Sequence, residues 1–223
     1  MYKIGCPKSE AVKKIQRALN LIPDGVFGKL TDEAVREWQR ENGLVADGIV
    51  GPATLAKMVP AVERPQKSRR IITHLVVHCT ASREGQPLTV EQIRANHMAP
   101  VSKGGRGWAD IGYHYVILLD GTIAPGRDVD KIGAHVTGYN SHSIGIVYVG
   151  GLDKNGKAKD TRTPEQKEAL VCLLKMLRQL YPTAKICGHR DFSPDKNGNG
   201  VVDPWERIKE CPCFEAKEEY KGI

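Results

Sequence analysis

The stretch ITHLVVHC, residues 72–79, gathers Ile72, Leu75, Val76 and Val77 into one short run and ends it on His78 and Cys79. A run of that length, rich in branched side chains, predicts a strand, and its polar last residues then stand at the strand's carboxyl end. Three further runs read the same way: YHYVILL from Tyr113, SIGIVYVG from Ser143 and AKIC from Ala184. Between the last two the period becomes that of a helix. Thr163 and Gln166 form a capping box, Pro164 takes the first helical position, and Leu170, Leu173, Leu174, Leu177 and Leu180 recur at helical spacing. Strands interleaved with helices predict an α/β domain with a central mixed β-sheet flanked by helices.

Upstream of Ile72 the pattern changes. Pro60, Glu63, Arg64, Pro65, Lys67, Arg69 and Arg70 lie in a stretch poor in apolar periodicity, which predicts a linker over 60–70 between a domain at 1–59 and another at 71–223. The first of these contains an internal repeat. IPDGVFGKLTDEAV from Ile22 is echoed by VADGIVGPATLAKM from Val45, so that Asp24, Gly25, Gly28 and Thr31 return 23 residues later as Asp47, Gly48, Gly51 and Thr54. Each Asp-Gly predicts a tight turn and each threonine a helix N-cap. With Val12, Ile15 and Leu19 on a helix that Ser9 can cap, and Ala34, Val35 and Trp38 on the next, three short helices are predicted.

A net charge of +7 and a pI near 9.1 favour an anionic partner. The basic residues are scattered and carry no aromatic stripe, which argues against nucleic acid. No apolar run is long enough to span a bilayer, so membrane insertion is not expected. The stretch Met1–Leu21, broken by Lys3, Lys8, Lys13, Lys14 and Arg17, lacks the apolar core of a secretory signal, and synthesis in the cytoplasm is expected. Six cysteines, at 6, 79, 172, 187, 211 and 213, are too unevenly spaced to form a disulfide scaffold.

Three side chains stand out as metal ligands: His78 at the end of its strand, His189 in CGHRD after another, and Cys211 in KECPCF. Two imidazoles and one thiolate are the set a catalytic zinc takes when it keeps a fourth position for water. Cys187, on the face of His189 in an extended strand, and Cys213 remain rivals. Cys79 should point to the opposite face from His78, into a core, and His114 reads as a buried structural residue.

Two resemblances give these patterns a function. Residues from about Gly5 to Val59, with DGVFGKLT, AVREWQ and GLVADGIVGPAT, resemble the peptidoglycan-binding type 1 domain, which implies a small all-α three-helix module that binds wall material. From Arg70 to Phe214, VVHCTAS, GYHYVILLDGTIAPGRD, GAHVTGYNSHSIGIVYVGG, GHRD and KECPCF resemble, in order, the type 2 N-acetylmuramoyl-L-alanine amidases of tailed phages, whose fold peptidoglycan recognition proteins share. That resemblance implies zinc on His78, His189 and Cys211. It also implies Tyr113 and Lys209 as the groups that manage water's proton and the developing oxyanion, and a substrate groove lined by His135 with His142 beside it. The implied reaction is cleavage of the amide joining N-acetylmuramic acid to L-alanine in peptidoglycan, by a monomeric phage or prophage endolysin acting on the wall after release. A non-catalytic peptidoglycan receptor and a polymerase-binding regulatory protein stay open as alternatives.

Between His189 and Lys209 the chain is longer than the small phage amidases it resembles. There DKNGNGVVDPWE fits the calcium-loop pattern D-x-[DN]-x-[DN]-G-x5-E. It predicts one structural calcium on Asp195, Asn197, Asn199, the Val201 carbonyl, Asp203 and Glu206, ordering the segment that leads to Cys211.

Overall fold

A computed structural model describes residues 1–58 and 65–223. The chain divides into two compact units, Met1–Arg64 and Pro65–Ile223. Of the linker expected over 60–70, residues 60–64 lie outside the described residues. Residues 68–70 are fastened to the second unit. The Ser68 N–H donates to Tyr181 Oη at 2.6 Å, Ser68 Oγ to the Val129 carbonyl at 2.8 Å, and Arg70 Nε to that same carbonyl at 2.8 Å. Polar bonds of this kind leave no apolar period in the sequence, which is why the stretch reads as a linker.

In the first unit the described helices are α1 (Glu10–Ala18), α2 (Lys29–Glu41) and α3 (Pro52–Met58). Ser9 caps α1 as expected, its hydroxyl accepting from the Val12 N–H at 3.3 Å. Val12, Ile15, Phe27, Val35, Val50 and Met58 form the core. The threonines of the repeat are not N-caps: Gly28 precedes α2 without a side-chain cap, and Thr31 and Thr54 sit inside the first turns of their helices. Their hydroxyls serve a different purpose. Buried Gln39 donates from Nε2 to Asp47 Oδ1 (3.0 Å), the Ile49 carbonyl (3.0 Å) and Thr54 Oγ1 (3.1 Å), while its Oε1 accepts from the Gly48 N–H at 2.9 Å. Gln16 makes the same four bonds one repeat earlier, to Asp24, Val26, Thr31 and Gly25. Each half of the repeat is thus a turn and a helix start tied to one glutamine.

Gln39→Leu removes all four of those bonds from a site that is 1% exposed and strands the Gly48 N–H. The unit should lose about 2–4 kcal/mol, because buried groups left without partners cost more than the bonds themselves contribute. Hydrogen exchange by mass spectrometry checks this: peptides from 10–58 should exchange at least about 30-fold faster while those from 65–223 keep the parent's rates. Unchanged exchange over 10–58 would refute the assignment.

The second unit runs β1 (His74–Cys79), β2 (Ser82–Arg83), α4 (Val90–Met98), β3 (Tyr115–Ile117), β4 (Ile123–Pro125), β5 (Ser143–Tyr148), β6 (Gly151–Leu152), α5 (Pro164–Leu180), β7 (Lys185–Gly188) and α6 (Ala216–Glu219). Among the described residues the main sheet has the order β4-β3-β5-β1-β7, with β2 and β6 paired separately. Only β4 runs antiparallel to its neighbour, so the sheet is mixed, as expected. Helix α5 begins at the capping box read from the sequence, with Thr163 Oγ1 accepting from the Gln166 N–H at 3.1 Å and Gln166 Oε1 from the Thr163 N–H at 3.0 Å.

Leu170, Leu173, Leu174 and Leu177 of α5 are fully buried in one core with Leu75, Val77 and Cys79 of β1 and Ile144, Ile146 and Tyr148 of β5. Because side chains alternate along a strand, His74, Val76 and His78 face the other way. There Val76 packs with Val136, Cys187 and Phe192. The reverse face of β1 therefore presents His78, near its carboxyl end, to the loops that follow the parallel strands. Helix α4 and strand β4 have no counterpart in the sequence reading; α4 buries only Val90 and Ile93, too few to set a period.

Candidate active site

Register brings the first two candidate ligands together. β1 and β7 are parallel with Val77 opposite Gly188, so the next residues, His78 and His189, stand level at the ends of adjacent strands. Their Nδ1 atoms are 3.1 Å apart. Cys211 arrives from the C-terminal loop, which is fixed at several points. The Cys211 carbonyl accepts from the Arg190 N–H at 2.8 Å, its sulfur accepts from the Cys79 N–H at 3.3 Å, and the Pro212 carbonyl accepts from Tyr148 Oη at 2.7 Å. Gly188 makes room for this approach, since a Cβ there would lie 2.4 Å from Pro212 Cδ. Asp191 holds the turn after β7 by accepting from the Gly188 N–H at 2.8 Å, and buried Arg190 ties it to Glu215 at 2.7 Å. The sequence reading assigned no role to Gly188, Arg190 or Asp191: Gly188 acts by lacking a Cβ, and Asp191 and Arg190 through side-chain bonds to partners that spacing alone does not show.

The Cys211 sulfur is 3.7 Å from His78 Nδ1, and the three ligand atoms all lie within 4.8 Å of one another. Ligands around a tetrahedral zinc, at about 2.05 Å for nitrogen and 2.3 Å for sulfur, are separated by about 3.3 Å and 3.6 Å for the two kinds of pair. The donor set suits zinc, and the two pairs that include His78, at 3.1 Å and 3.7 Å, have the spacing such an ion requires. Neither rival thiol joins it. The Cys187 sulfur is turned toward the Leu75 carbonyl, and that of Cys213 lies 3.8 Å from Cys79 and 3.2 Å from the Gly151 carbonyl, on the core side of β1. Cys79 is in that core, and among the described residues all six cysteines are free thiols.

Tyr113 lies over the site, its ring centroid 5.1 Å from that of His78 and 5.5 Å from that of His97, which in turn meets Trp108 at 4.8 Å. Burial pushes its phenol above the ordinary value, so at neutral pH Tyr113 keeps its proton and acts as a donor. Lys209 is exposed, yet its ammonium is close enough to help depress both His78 and His189. His114 is structural, as expected: Nδ1 accepts from the Gly145 N–H at 2.9 Å, and Nε2 lies 3.1 Å from the Lys131 carbonyl.

His135, which the resemblance places along a substrate groove, lies deep in the site. It is 7% exposed and lies behind His78, with Nδ1 3.0 Å from His78 Nε2 and Nε2 3.3 Å from Ser143 Oγ. Both nitrogens have partners inside the protein. His142 sits apart, in an aromatic group with His74 and Tyr139.

The calcium loop is held by its own donors. Asp195 accepts from the N–H groups of Gly198 (2.7 Å) and Gly200 (2.8 Å), and Asp203 from the side-chain amides of Asn197 (2.9 Å) and Asn199 (3.1 Å). Asn199 Oδ1 accepts from the Val201 N–H at 2.8 Å. Fully buried Glu206 accepts from the N–H groups of Lys196 (2.6 Å), Asn197 (3.1 Å) and Asp203 (2.8 Å). Donors rather than oxygens are turned toward the carboxylates, so the arrangement gives no support to a bound calcium.

Burial holds the site's histidines neutral: His78 and His135 fall well below the ordinary value, and His114 and His189 are lowered to about 4. In the unfolded chain they titrate near the ordinary value of 6.5. As pH falls from there toward 4, the unfolded metal-free chain takes up protons that the folded one refuses, so stability is complete above the unfolded value and is lost on acidification. Each such histidine contributes up to about 1.4 kcal/mol per pH unit. Urea midpoints of the metal-free protein should therefore be clearly lower at pH 5 than at pH 7; equal midpoints would contradict the burial.

Residues 67–212 match the N-acetylmuramoyl-L-alanine amidase family, and residues 8–58 match the putative peptidoglycan binding domain. The endolysin of Enterobacteria phage K11 is 38% identical over 147 residues, covering 66% of this chain and 84% of its own length. The endolysin of Escherichia phage T7 is 36% identical over 151 residues, covering 68% of this chain and 87% of its own length. A solved complex of tracheal cytotoxin with the ectodomains of peptidoglycan recognition proteins LCa and LCx superposes with a TM-score of 0.51 at 26% identity, covering 71% of this chain and 89% of that one. Ordered motifs, a spacing fit for a metal and a family match over most of its length agree: the chain belongs to the type 2 N-acetylmuramoyl-L-alanine amidase family and carries a peptidoglycan-binding domain ahead of its amidase domain.

Proposed function

We propose that the protein is a zinc-dependent amidase that cleaves the bond between the lactyl group of N-acetylmuramic acid and the L-alanine of the stem peptide. The observation that carries this is the convergence of His78 and His189 at adjacent strand ends with Cys211 from the C-terminal loop, their ligand atoms all within 4.8 Å of one another. Zinc, when bound there, supplies a Lewis acid that polarises the scissile carbonyl and makes water nucleophilic at neutral pH. The chain's own groups do the rest. Tyr113, kept protonated by burial, donates a hydrogen bond to the oxygen on which charge develops, and the Lys209 ammonium adds a positive field from the solvent side. His78 and His189, neutral over the physiological range, are already in the state a metal needs.

In this reading residues 1–59 act as a small all-α module that holds the enzyme on the wall, residues 60–70 join the two parts, and residues 71–223 perform the hydrolysis. The setting is that of an endolysin made in the cytoplasm and acting on the wall after release, as a monomer. No calcium is required, because the loop at 195–206 orders itself through Glu206.

The test is digestion of purified peptidoglycan by the full zinc-loaded chain. New N-terminal alanine should appear, with no new reducing sugar ends. Reducing ends without free alanine amines, or no product at all, would overturn the proposal.

A further inference from the structure

A buried chain of side chains runs inward from the metal site. For His78 to offer Nδ1 as a ligand, its ring proton must sit on Nε2. That Nε2 is 3.0 Å from His135 Nδ1, His135 Nε2 is 3.3 Å from Ser143 Oγ, and Ser143 Oγ is 2.8 Å from the Tyr139 carbonyl. The last atom can only accept, so it takes the serine's single proton. Ser143 Oγ must then accept from His135 Nε2–H, which leaves His135 Nδ1 bare to accept from His78 Nε2–H. The carbonyl at the far end thus sets the direction of every bond back to the metal site. Exposures of 1% for His78, 7% for His135 and 0% for Ser143 shield the chain from bulk solvent.

The surroundings are shaped for this ring. A Cβ at Gly133 or at Gly145 would come within 2.6 Å of His135 Cδ2. Asn140 Oδ1 fixes the backbone beneath it, accepting from the N–H groups of His135 (2.8 Å) and Val136 (2.9 Å). We infer that His135 is a positioning residue: it locks His78 in the tautomer and orientation that present Nδ1 to the metal, and is itself locked by Ser143 and the Tyr139 carbonyl. The inference rests on the zinc reading above and adds to it the group that tunes one ligand.

Zinc affinity of the full chain, measured by competition with a chromogenic chelator, tests it alongside the parent's tautomers. His135→Leu keeps the volume and removes the acceptor, and should weaken zinc binding about 10–100-fold. His135→Asn restores an acceptor where Nδ1 stood and should bind within about threefold of the parent. Long-range proton–nitrogen NMR spectra of the metal-free parent should show His78 and His135 both protonated on Nε2, a readout that does not depend on either variant folding. The inference is overturned if folded His135→Leu binds zinc as tightly as the parent, if His135→Asn is no better than His135→Leu, or if His135 carries its proton on Nδ1. A parent that takes up no zinc overturns the proposed function instead, and the tautomers then decide the relay by themselves.

Discussion

Cys211→Ser is expected to release alanine amines from peptidoglycan at least about a thousandfold more slowly than the parent in zinc-replete buffer. Losing one oxyanion donor typically costs about 10²–10³ in rate, and losing the ion that polarises the carbonyl should cost more. Cys211 supplies the only anionic ligand among the three, and a serine hydroxyl is neutral at pH 7. Its departure leaves His78 and His189 as the remaining pair, and metal affinity should fall beyond the roughly 10–100-fold typical of losing an outer partner. The fold should survive. Serine differs by one atom, the loop is still held by the Cys211 carbonyl and by Tyr148, and Arg190 still meets Glu215. Metal content, melting temperature and amine release measured together separate loss of the ion from loss of the fold. A folded Cys211→Ser protein with the parent's activity would end the zinc assignment.

The sequence showed the parts of this site that depend on strand parity and on the type of ligand. A histidine closing an apolar run followed by a cysteine can face only one way each, and His78 and Cys79 do divide between the site and the core. Helix α5 was equally legible, because its capping box and leucine period are local. What stayed hidden is what depends on partners distant in the chain. The groove role of His135 came from the resemblance alone, while its bond to His78 was hidden because the two stand 57 residues apart and its ring is held by Ser143 and Gly145 of β5. Thr31 and Thr54 read as caps because nothing local reveals a glutamine 15 residues upstream of each; yet Gln16 and Gln39 keep the same offset as the repeat, a signal that was there to be found. Helix α4 also carried an overlooked signal, the capping box of Thr89 and Gln92. The calcium pattern finds no support for a different reason: groups of the right type and order can satisfy one another, and here the loop's N–H groups reach the carboxylates.

Tyr113→Phe isolates the chemistry from the metal. The substitution keeps the ring that packs 5.1 Å from His78 and removes only the hydroxyl, so zinc affinity and melting temperature should match the parent's. The rate constant kcat should fall about 10²–10³-fold, roughly 3–4 kcal/mol, the usual cost of removing one preorganised donor from a developing oxyanion. KM should stay within about twofold, because a bond made mainly in the transition state contributes little to ground-state binding. The pH profile carries an independent mark of the same role. Burial raises the phenol above its ordinary value of 10.0, so a Tyr113 that works as a donor stays protonated across the neutral and mildly alkaline range. The parent's kcat should then show no loss attributable to this group up to about pH 10. If instead Tyr113→Phe keeps more than half of the parent's kcat, or the parent's activity rises with deprotonation of a tyrosine, the hydroxyl is not the donor and the charge on the carbonyl oxygen must be met by the metal and Lys209 without it.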